Sequence, residues 1–480
     1  MELAELDATA QAELVRHGDV SPIELVDAAI ERIERVNPQV NAVVIPLFDR
    51  ARRDGARSGP FTGVPIVLKD IQPSAGDPMH AGMQLLRDLN WVEDHDAYIV
   101  AKLKAAGFMV IGKANLPELE GGITTEPAVY GPTRNPWNLD HSVGGSSGGP
   151  AAAVASGMVP VAHGTDSGGS IRIPASECGL VGLKPSRGRV SAGPDLGDVG
   201  GGGSFCPHVL TTSVRDTAAV LDAVAGWMPG DPYTAPTPAR TFASEVDIEP
   251  VPLRIGLWTG EGAAGLPTHP DCVSAAESTA RLLEGIGHHV EVSRPAGVEV
   301  GSTTIWVGAG SLFAWYLDEW SRRTGKAIGP GDVEPLTWGL AEAGRLATAV
   351  QLVERLAERD RLTRTVAAWW AGGFDLLLTP TISVPPPKLG ECIPGPDNPL
   401  EKFQPIVEAV VRFTAQFNQT GQPAISLPMA WNADGLPIGV QLVAAYGRED
   451  LLLQVAGQLE RAQPWRDRRP PIHAAVTRTT

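Results

Sequence analysis

The sequence is poor in cysteine and lacks a long uninterrupted apolar segment. Its four cysteines are scattered without a CxxC pair, which argues against a disulfide framework or a zinc knuckle and is typical of a reducing compartment. The longest weakly apolar run, Ala151 to Ala162, is broken by Ser, Gly and Pro and is too short to span a bilayer. Residues 1–18 carry acids throughout and have no apolar core before a cleavage site, so we expect no secretion signal. These absences predict a cytoplasmic protein that does not cross a membrane.

Positive charge is also scarce. Lys and Arg number 39 against 55 for Asp and Glu, which gives a net charge of −16, and basic residues cluster only as pairs such as Arg322-Arg323. A phosphate backbone would be repelled on average, so nucleic acid is excluded as the main ligand. The 480 residues are 43% hydrophobic, enough to bury a substantial core. We therefore expect a globular monomer or homodimer that binds a small molecule.

Helix and strand signals alternate along the chain. Ser21-Pro22-Ile23-Glu24 is a capping box with proline at the first helical position, which predicts a helix to about Val36. Gly63 to Asp70 reads as a short apolar strand, and a helix from Asp96 to Ala106 precedes a strand at Phe108 to Ile111. Further segments of both kinds are Met158–Ala162, Leu253–Trp258, Ala275–Leu283, Val290–Val292, Asp375–Leu378, Ala424–Pro428, Ile438–Val443 and Glu449–Leu459. The pattern predicts an α/β fold with a mixed sheet.

The chain is predicted to form a single domain, residues 1–480. A helical insertion rich in tryptophan is expected at about 300–372, and the strands and helix of 420–462 are expected to return to the main sheet. Ser191 to Ser204 reads as a long loop, either a lid or a surface connection.

Two Gly/Ser clusters dominate the middle of the sequence. They are Gly144-Gly145-Ser146-Ser147-Gly148-Gly149 and Ser167-Gly168-Gly169-Ser170, and each is followed by small or apolar residues that predict a helix. A sharp turn that opens a helix leaves unpaired N–H groups beside an exposed serine. The clusters therefore indicate a nucleophile next to a site for negative charge.

The residues alone leave other interpretations open. Gly144 to Gly148 formally matches the G-x-S-x-G nucleophile elbow, although no downstream histidine lies in a recognisable triad context. A phosphate cradle is a third interpretation, but G-x-x-x-x-G-K-[ST] is absent and the glycine spacing does not match G-x-G-x-x-G.

Three separated blocks, in order, resemble the amidase signature family. They are GVPIVLKD, GGSSGG followed by AAAVA, and GTDSGGSIRIPA followed by CGLVGLKPSRGRVS, within a signature core at about 60–215. The serine separation, 170 − 146 = 24, is the one that the family shows. The resemblance implies the amidase signature fold, in which helices cover both faces of a mixed, twisted sheet.

The resemblance also implies a Ser-Ser-Lys triad. Ser170 corresponds to the acylated nucleophile, Ser146 to the bridging serine and Lys69 to the general base. The implied oxyanion hole consists of the backbone N–H groups of Ser167, Gly168, Gly169 and Ser170, and Asp166 and Arg172 would brace that loop. The family needs no metal or cofactor, so we expect neither here.

Lysine chemistry is compatible with these roles. A serine hydroxyl is a poor nucleophile until a base removes its proton, and a lysine is a base only when neutral. Burial favours the neutral form, so the end of an apolar strand suits Lys69. Considered alone, however, the strand segment favours an exposed lysine, because lysines are seldom fully buried.

The expected substrate is a small amide or carbamate. Nearly the whole chain resembles members of the family that cleave nylon oligomers, which favours linear or cyclic amides with apolar flanks. The same route would open a carbamate, so a urethanase is the alternative; the amidase subunit of a tRNA-dependent amidotransferase and a silent binding protein are less favoured. Residues expected to line the pocket are Gly121, Gly122, Ile123, Trp306, Phe313, Trp315 and Trp338.

Overall fold

The computed structural model describes residues 3–198, 203–260, 267–298 and 303–475, and the side chains of residues 303–309 fall outside this description. The strands are β1 (Val43–Pro46), β2 (Pro65–Lys69), β3 (Met109–Ala114), β4 (Val161–Asp166), β5 (Val181–Lys184), β6 (Cys206–Thr211), β7 (Arg254–Leu257), β8 (His289–Val292), β9 (Leu376–Pro380), β10 (Ala424–Trp431) and β11 (Pro437–Ala444). The helices are α1 (Ala8–His17), α2 (Pro22–Val40), α3 (Phe48–Asp54), α4 (Gln84–Asp88), α5 (Tyr98–Ala105), α6 (Gly148–Ala155), α7 (Arg172–Cys178), α8 (Val214–Val224), α9 (Phe242–Glu245), α10 (Pro270–Gly285), α11 (Thr303–Thr324), α12 (Pro335–Arg345), α13 (Ala349–Ala371), α14 (Pro399–Val410), α15 (Ala415–Thr420) and α16 (Glu449–Ala462).

The described strands form one mixed sheet in the order β1-β3-β2-β4-β6-β5-β10-β11-β9-β7-β8. Strand β2 is parallel to both β3 and β4, and β7 is parallel to β8 and β9. The other pairs are antiparallel. The α/β class and the mixed sheet are therefore confirmed.

Strand β2 shows how the sheet is covered. All five of its residues are buried, as expected for a parallel strand with helices on both faces. Ile66 and Leu68 join an apolar cluster that includes side chains of α5, α8 and α16, whereas Val67 joins a second cluster with side chains of α2 and α6. Alternate residues thus pack on opposite faces, and the predicted helical covering of both faces is confirmed.

Several elements differ from their predicted bounds, and α2 and β4 illustrate the difference. The capping box at Ser21 and Glu24 is present, but α2 continues to Val40 instead of Val36. Strand β4 was expected at residues 158–162 from the apolar run and instead occupies 161–166. It pairs with β6 from Val161 opposite Thr211 to Asp166 opposite Cys206, so strand pairing, rather than hydrophobicity, sets its position.

The later part of the chain returns to the same sheet. Strand β10 pairs with β5, and β11 pairs with β9. Helices α11, α12 and α13 cover the region expected as a helical insertion, and α11 packs on the other two. Among the described residues, no helix has the length and hydropathy that crossing a membrane would require. The single-domain assignment stays a prediction.

Candidate active site

Lys69 is the last residue of the central strand β2, and its side chain is completely buried. Strands β3 and β4 pair with β2 on its two sides, so the amine lies inside the sheet region. The exposed position favoured by the strand segment alone is wrong, because that segment carries no information about its neighbours.

The Lys69 Nζ atom has three close oxygen partners. It lies 2.7 Å from Ser146 Oγ and 2.7 Å from Thr165 Oγ1, and 2.5 Å from Glu120 Oε1. Burial lowers the pKa of Lys69, while the carboxylates of Glu120 and Asp166 oppose that change. The direction favours a neutral amine, the form that a base requires.

Ser146 lies in the first Gly/Ser cluster, just before α6, and is buried. The peptide bond between Gly145 and Ser146 is cis. A Cβ on Gly145 would lie 2.8 Å from the carbonyl oxygen of Gly122 and from the amide nitrogen of Thr124. Glycine at this position therefore lets the serine loop pack directly against residues 122–124.

Ser170 lies in the second cluster, before α7. The N–H of Ser147 donates to the carbonyl oxygen of Ser170 at 3.2 Å, which ties the two clusters together. In the described part of the chain, no hydrogen bond joins the Ser146 and Ser170 hydroxyls. Ser170 lines a cavity, whereas Ser146 lies behind it against the lysine.

The backbone amides of the second cluster are not equivalent. The N–H of Gly169 donates to Asp166 Oδ1 at 2.8 Å, so it is already engaged. The Gly168 carbonyl accepts a hydrogen bond of 2.6 Å from Thr414 Oγ1, which fixes the orientation of that peptide. Of the four amides expected in an oxyanion hole, those of Ser167, Gly168 and Ser170 are the remaining donors.

Asp166 and Arg172 form a buried, two-pronged ion pair. Both N–H···O distances, Nε to Oδ2 and Nη2 to Oδ1, are 2.9 Å, and both side chains are fully buried. Arg172 also donates to Gln441 Oε1 at 2.7 Å and Asn418 Oδ1 at 2.6 Å. Burial raises the pKa of Asp166, but the Arg172 guanidinium outweighs burial and holds it at about 2. The two residues therefore form an ion pair between β4 and α7, and their role in bracing the loop stays a prediction.

A cavity of about 200 Å³ opens beside Ser170. Predicted residues in its lining are Gly121, Gly122, Ile123 and Phe313, and further apolar residues there are Tyr316, Leu340, Leu352, Leu356, Phe403 and Val407. Two arginines of α13, Arg355 and Arg359, also line it. The Arg355 side chain is 10% exposed, and burial lowers its pKa to about 10. The cavity is apolar on most sides with cationic groups on one wall, a composition suited to a small organic ligand.

The family model for amidases matches residues 24–453. The chain belongs to the amidase signature family. It is therefore a hydrolase that acts on carbon–nitrogen bonds, as the sequence predicts.

Named relatives of this amidase are similar over nearly their whole lengths. It is 44% identical over 477 residues to the 6-aminohexanoate-cyclic-dimer hydrolase of Paenarthrobacter ureafaciens, covering 97% of this chain and 96% of the relative. The solved structure of a 6-aminohexanoate cyclic dimer hydrolase complexed with substrate superposes with a TM-score of 0.94 at 43% identity, covering 98% of this chain and 99% of the other. A bacterial aryl acylamidase superposes with a TM-score of 0.86 at 28% identity, with 96% of each chain covered. The fold is thus that of the amidase signature enzymes.

Two predicted pocket residues of this amidase lie elsewhere. Trp315 faces a neighbouring cavity with Trp320 and Arg323. Tyr316, the next residue of α11, borders both this cavity and the one beside Ser170, whereas Phe313 borders only the latter. Trp338 does not line the cavity; it packs against the apolar cluster that contains Phe313 and Leu340. Its ring lies under Arg345, 5.6 Å from the guanidinium carbon. The side chain of Trp306 falls outside the described residues. The tryptophans of the helical region therefore include packing residues that sequence alone could not separate from lining ones.

Sequence analysis missed several site residues, among them two that contact Lys69 and one aromatic residue of the cavity lining. Glu120 and Thr165 contact the lysine, and Tyr316 lines the cavity. Only Thr165 carried a sequence signal, since it lies inside the GTDSGGS block. The loop from Ser191 to Ser204, expected to be either a lid or a surface connection, places Leu196 and Ser204 at the border of the cavity. Residues 199–202 of this loop lie outside the described residues, and the choice between the two roles stays open as predicted.

Loss of the buried ion pair should destabilise this amidase strongly. In Asp166→Asn the fully buried Arg172 guanidinium loses its counter-charge, and breaking such a pair costs about 3–5 kcal/mol. Because the pKa of Asp166 lies near 2, below its unfolded value, the wild type loses this stabilisation only as pH falls from about 4 towards 2. Urea unfolding at pH 7 and in acid measures both effects. Glu291→Gln is the matched control: its ion pair with Arg254 has side chains 50% and 46% exposed, and its loss should cost less than about 1 kcal/mol.

Proposed function

We propose that this amidase hydrolyses small amides with apolar flanks through an acyl-enzyme on Ser170, with Ser146 as proton relay and Lys69 as general base. The observation that carries the proposal is the buried Lys69 amine, 2.7 Å from the Ser146 hydroxyl, behind a cavity lined by Ser170. A histidine is not needed in such a relay, because a neutral lysine supplies the basic lone pair.

The reaction would proceed in two halves. The Ser170 oxygen bonds to the carbonyl carbon as its proton passes to Ser146, whose own proton passes to Lys69. The carbonyl electrons move to the oxygen, which the free amides of the second cluster stabilise. Collapse of this intermediate breaks the C–N bond, and the proton returns through Ser146 to the leaving nitrogen. Water then repeats the sequence on the ester, releasing the acid and restoring Ser170.

The substrate class follows from the cavity and from the relatives. An apolar lining beside Ser170 suits methylene or aromatic groups on the scissile amide. A relative 44% identical to this chain is named for the cyclic dimer of 6-aminohexanoate, in which methylene chains separate two amides. We infer that a compact, uncharged diamide of this kind fits the site. Carbamates share the reactive carbonyl, so an aromatic dicarbamate is the competing substrate.

A hydrolysis screen tests the proposal. Purified enzyme is compared on 6-aminohexanoate cyclic dimer, its linear dimer, a nitroanilide, an aromatic dicarbamate and glutamine, with product amine measured and excess chelator present. Preference for the cyclic dimer or nitroanilide supports the apolar-amide assignment, while preference for the dicarbamate would replace it with a urethanase. Glutamine hydrolysis that appears only with added amidotransferase subunits would assign the chain to that complex. Activity lost with chelator would contradict a metal-free relay.

Leu352, in the part of the cavity wall that α13 forms, allows a test of whether the substrate binds in this cavity. Leu352 lines the cavity and is 40% exposed, whereas its neighbour Val353 does not line it and is 64% exposed. Leu352→Ala should raise KM for an apolar amide about tenfold, since trimming an apolar pocket costs roughly 1–3 kcal/mol, with little change in stability. Val353→Ala is the matched control and should leave KM unchanged. Equal KM values for both variants would place the substrate elsewhere.

A further inference from the structure

Glu120 lies beside the proposed base, although it belongs to neither Gly/Ser cluster. Its Oε1 atom is 2.5 Å from Lys69 Nζ and also accepts a hydrogen bond from the Thr165 hydroxyl. The Glu120 side chain is 14% exposed, and the residue borders the cavity that Ser170 lines. A carboxylate in contact with a catalytic lysine affects both the orientation of its amine and its pKa.

In its neutral form, the Lys69 amine can satisfy all three of its oxygen partners. A neutral primary amine has two N–H donors and one lone pair. The Glu120 carboxylate can only accept, and Thr165 accepts as well because its own proton is given to Glu120. With both N–H groups used by these two residues, the lone pair faces Ser146, the third partner at 2.7 Å. That is the direction from which the lysine must receive a proton.

The backbone that presents Glu120 is unusual. Leu119 and Glu120 are consecutive non-glycine residues with positive φ, at 47° and 63°. Such conformations are unfavourable for residues with a Cβ and persist where the surroundings require them. The N–H of Leu119 donates to the Ala81 carbonyl at 2.9 Å, which helps to hold the turn. The turn places a carboxylate against the buried amine instead of directing it to water.

We propose that Glu120 is a positioning residue of this amidase: with Thr165 it aims the lone pair of Lys69 at Ser146, and its charge stabilises the ammonium that forms when Lys69 accepts the proton. The proposal rests on the proposed function, in which Lys69 is the base. Glu120 exchanges no proton with substrate, so the atom balance of the relay is unchanged. Its position resembles that of an acid that orients and stabilises a histidine in other serine hydrolases.

The charge of Glu120 predicts a change in the pH profile. An adjacent carboxylate raises the pKa of a lysine, so its removal should lower the pKa of Lys69 and move the acid limb of kcat/KM to lower pH. Other groups facing the amine are Asp166, which also raises the Lys69 pKa, and His163 on β4, whose own pKa burial holds well below its usual value. The Tyr316 hydroxyl faces Glu120, and burial raises its pKa. These groups are unchanged in every variant below, so a shift of the acid limb in a Glu120 variant reports the loss of the Glu120 charge.

The test compares Glu120→Gln with wild type in two assays across pH: hydrolysis of a neutral nitroanilide, and the rate of Ser170 labelling by a fluorophosphonate followed by mass spectrometry. We expect the acid limb to move down by about 1–3 pH units and the plateau rate to fall at least about tenfold, because the base is weaker and its lone pair less well aimed. Glu120→Asp should retain the wild-type limb. Glu126→Gln, which neutralises a carboxylate on the same segment with Gly390 N–H as its partner, is the matched control and should retain both limb and rate.

An unshifted limb in Glu120→Gln, or an equal shift in Glu126→Gln, would overturn the role of Glu120. If the Gln variant does not fold, Glu120→Ala removes the same charge and carries the same expectation. A higher KM for cationic substrates with an unchanged limb would instead assign Glu120 to substrate binding. Failure of wild-type Ser170 to label at any pH would refute the proposed function itself, a result distinct from all of these.

Discussion

Ser170→Ala should abolish covalent labelling by a fluorophosphonate and reduce amide turnover by at least about 10⁴-fold, while the protein stays folded. Removal of the nucleophile from a serine hydrolase leaves only the contributions of the oxyanion hole and of substrate binding. Ser170 is partly exposed in the cavity, and its hydroxyl forms no hydrogen bond within the described part of the chain. Removing this hydroxyl should therefore change the free energy of unfolding little. Mass spectrometry of the labelled protein should place the adduct on Ser170 and on no other serine.

The control for this experiment is Ser274→Ala, an exposed serine on α10, which should label at the wild-type rate. A label that persists in Ser170→Ala would move the nucleophile to another residue, with Ser146 as the next candidate. Retained turnover without any label would contradict acyl-enzyme chemistry altogether and would separate this amidase from a serine mechanism.

The residues that sequence analysis located best are those inside a local motif. Ser170 and Asp166 lie in one short turn between β4 and α7, so sequence spacing alone fixes their approximate separation. Asp166 and Arg172 flank the same turn, so the sequence places them close together, but their two-pronged contact is seen only in the structure. Only the use of the Gly169 amide by Asp166 differs from the expected set of oxyanion donors, because spacing does not reveal which way a peptide points.

The residues that sequence analysis missed depend on contacts between distant segments. Glu120 meets Lys69 across 51 positions of the chain through a turn with positive φ at two non-glycine residues. Glycine signals such a turn in a sequence, whereas leucine and glutamate do not. The burial of Lys69 was likewise undecided by its own strand, because β3 and β4 supply the cover.

The pocket residues show a third reason why sequence alone does not identify the whole site. Helix α11 presents Phe313 to the cavity beside Ser170, Trp315 to a neighbouring cavity, and Tyr316 to both. Aromatic content predicts that such a helix packs tightly, but the face that meets the substrate is set by how α11 packs on its neighbours. Gly121 carries a related constraint, since a Cβ there would lie 3.0 Å from the Phe313 ring. The absence of a side chain at Gly121 therefore leaves room for the Phe313 ring, which lines the cavity.

Lys69→Met should lower turnover by several orders of magnitude with the fold intact. A positioned general base raises the reaction rate by about 10²–10⁴-fold. Here the same amine also returns the proton to the leaving group, so its loss should slow both halves of the reaction. Methionine fills the buried volume of the lysine stem. Glu120 keeps the Thr165 hydroxyl as a donor and remains 14% exposed, so its carboxylate is not left without a partner.

The same variant tests the charge state of the lysine through stability. Burial lowers the pKa of Lys69 in the folded protein, while the unfolded chain titrates near 10.4. Between those values the unfolded state binds the extra proton, so wild-type stability should rise with pH relative to Lys69→Met, by up to about 1.4 kcal/mol per pH unit. Urea unfolding of both proteins at pH 7 and pH 9 measures the difference. A gap independent of pH would mean that the amine keeps an ordinary pKa, and full activity of the variant at neutral pH would remove Lys69 from the relay.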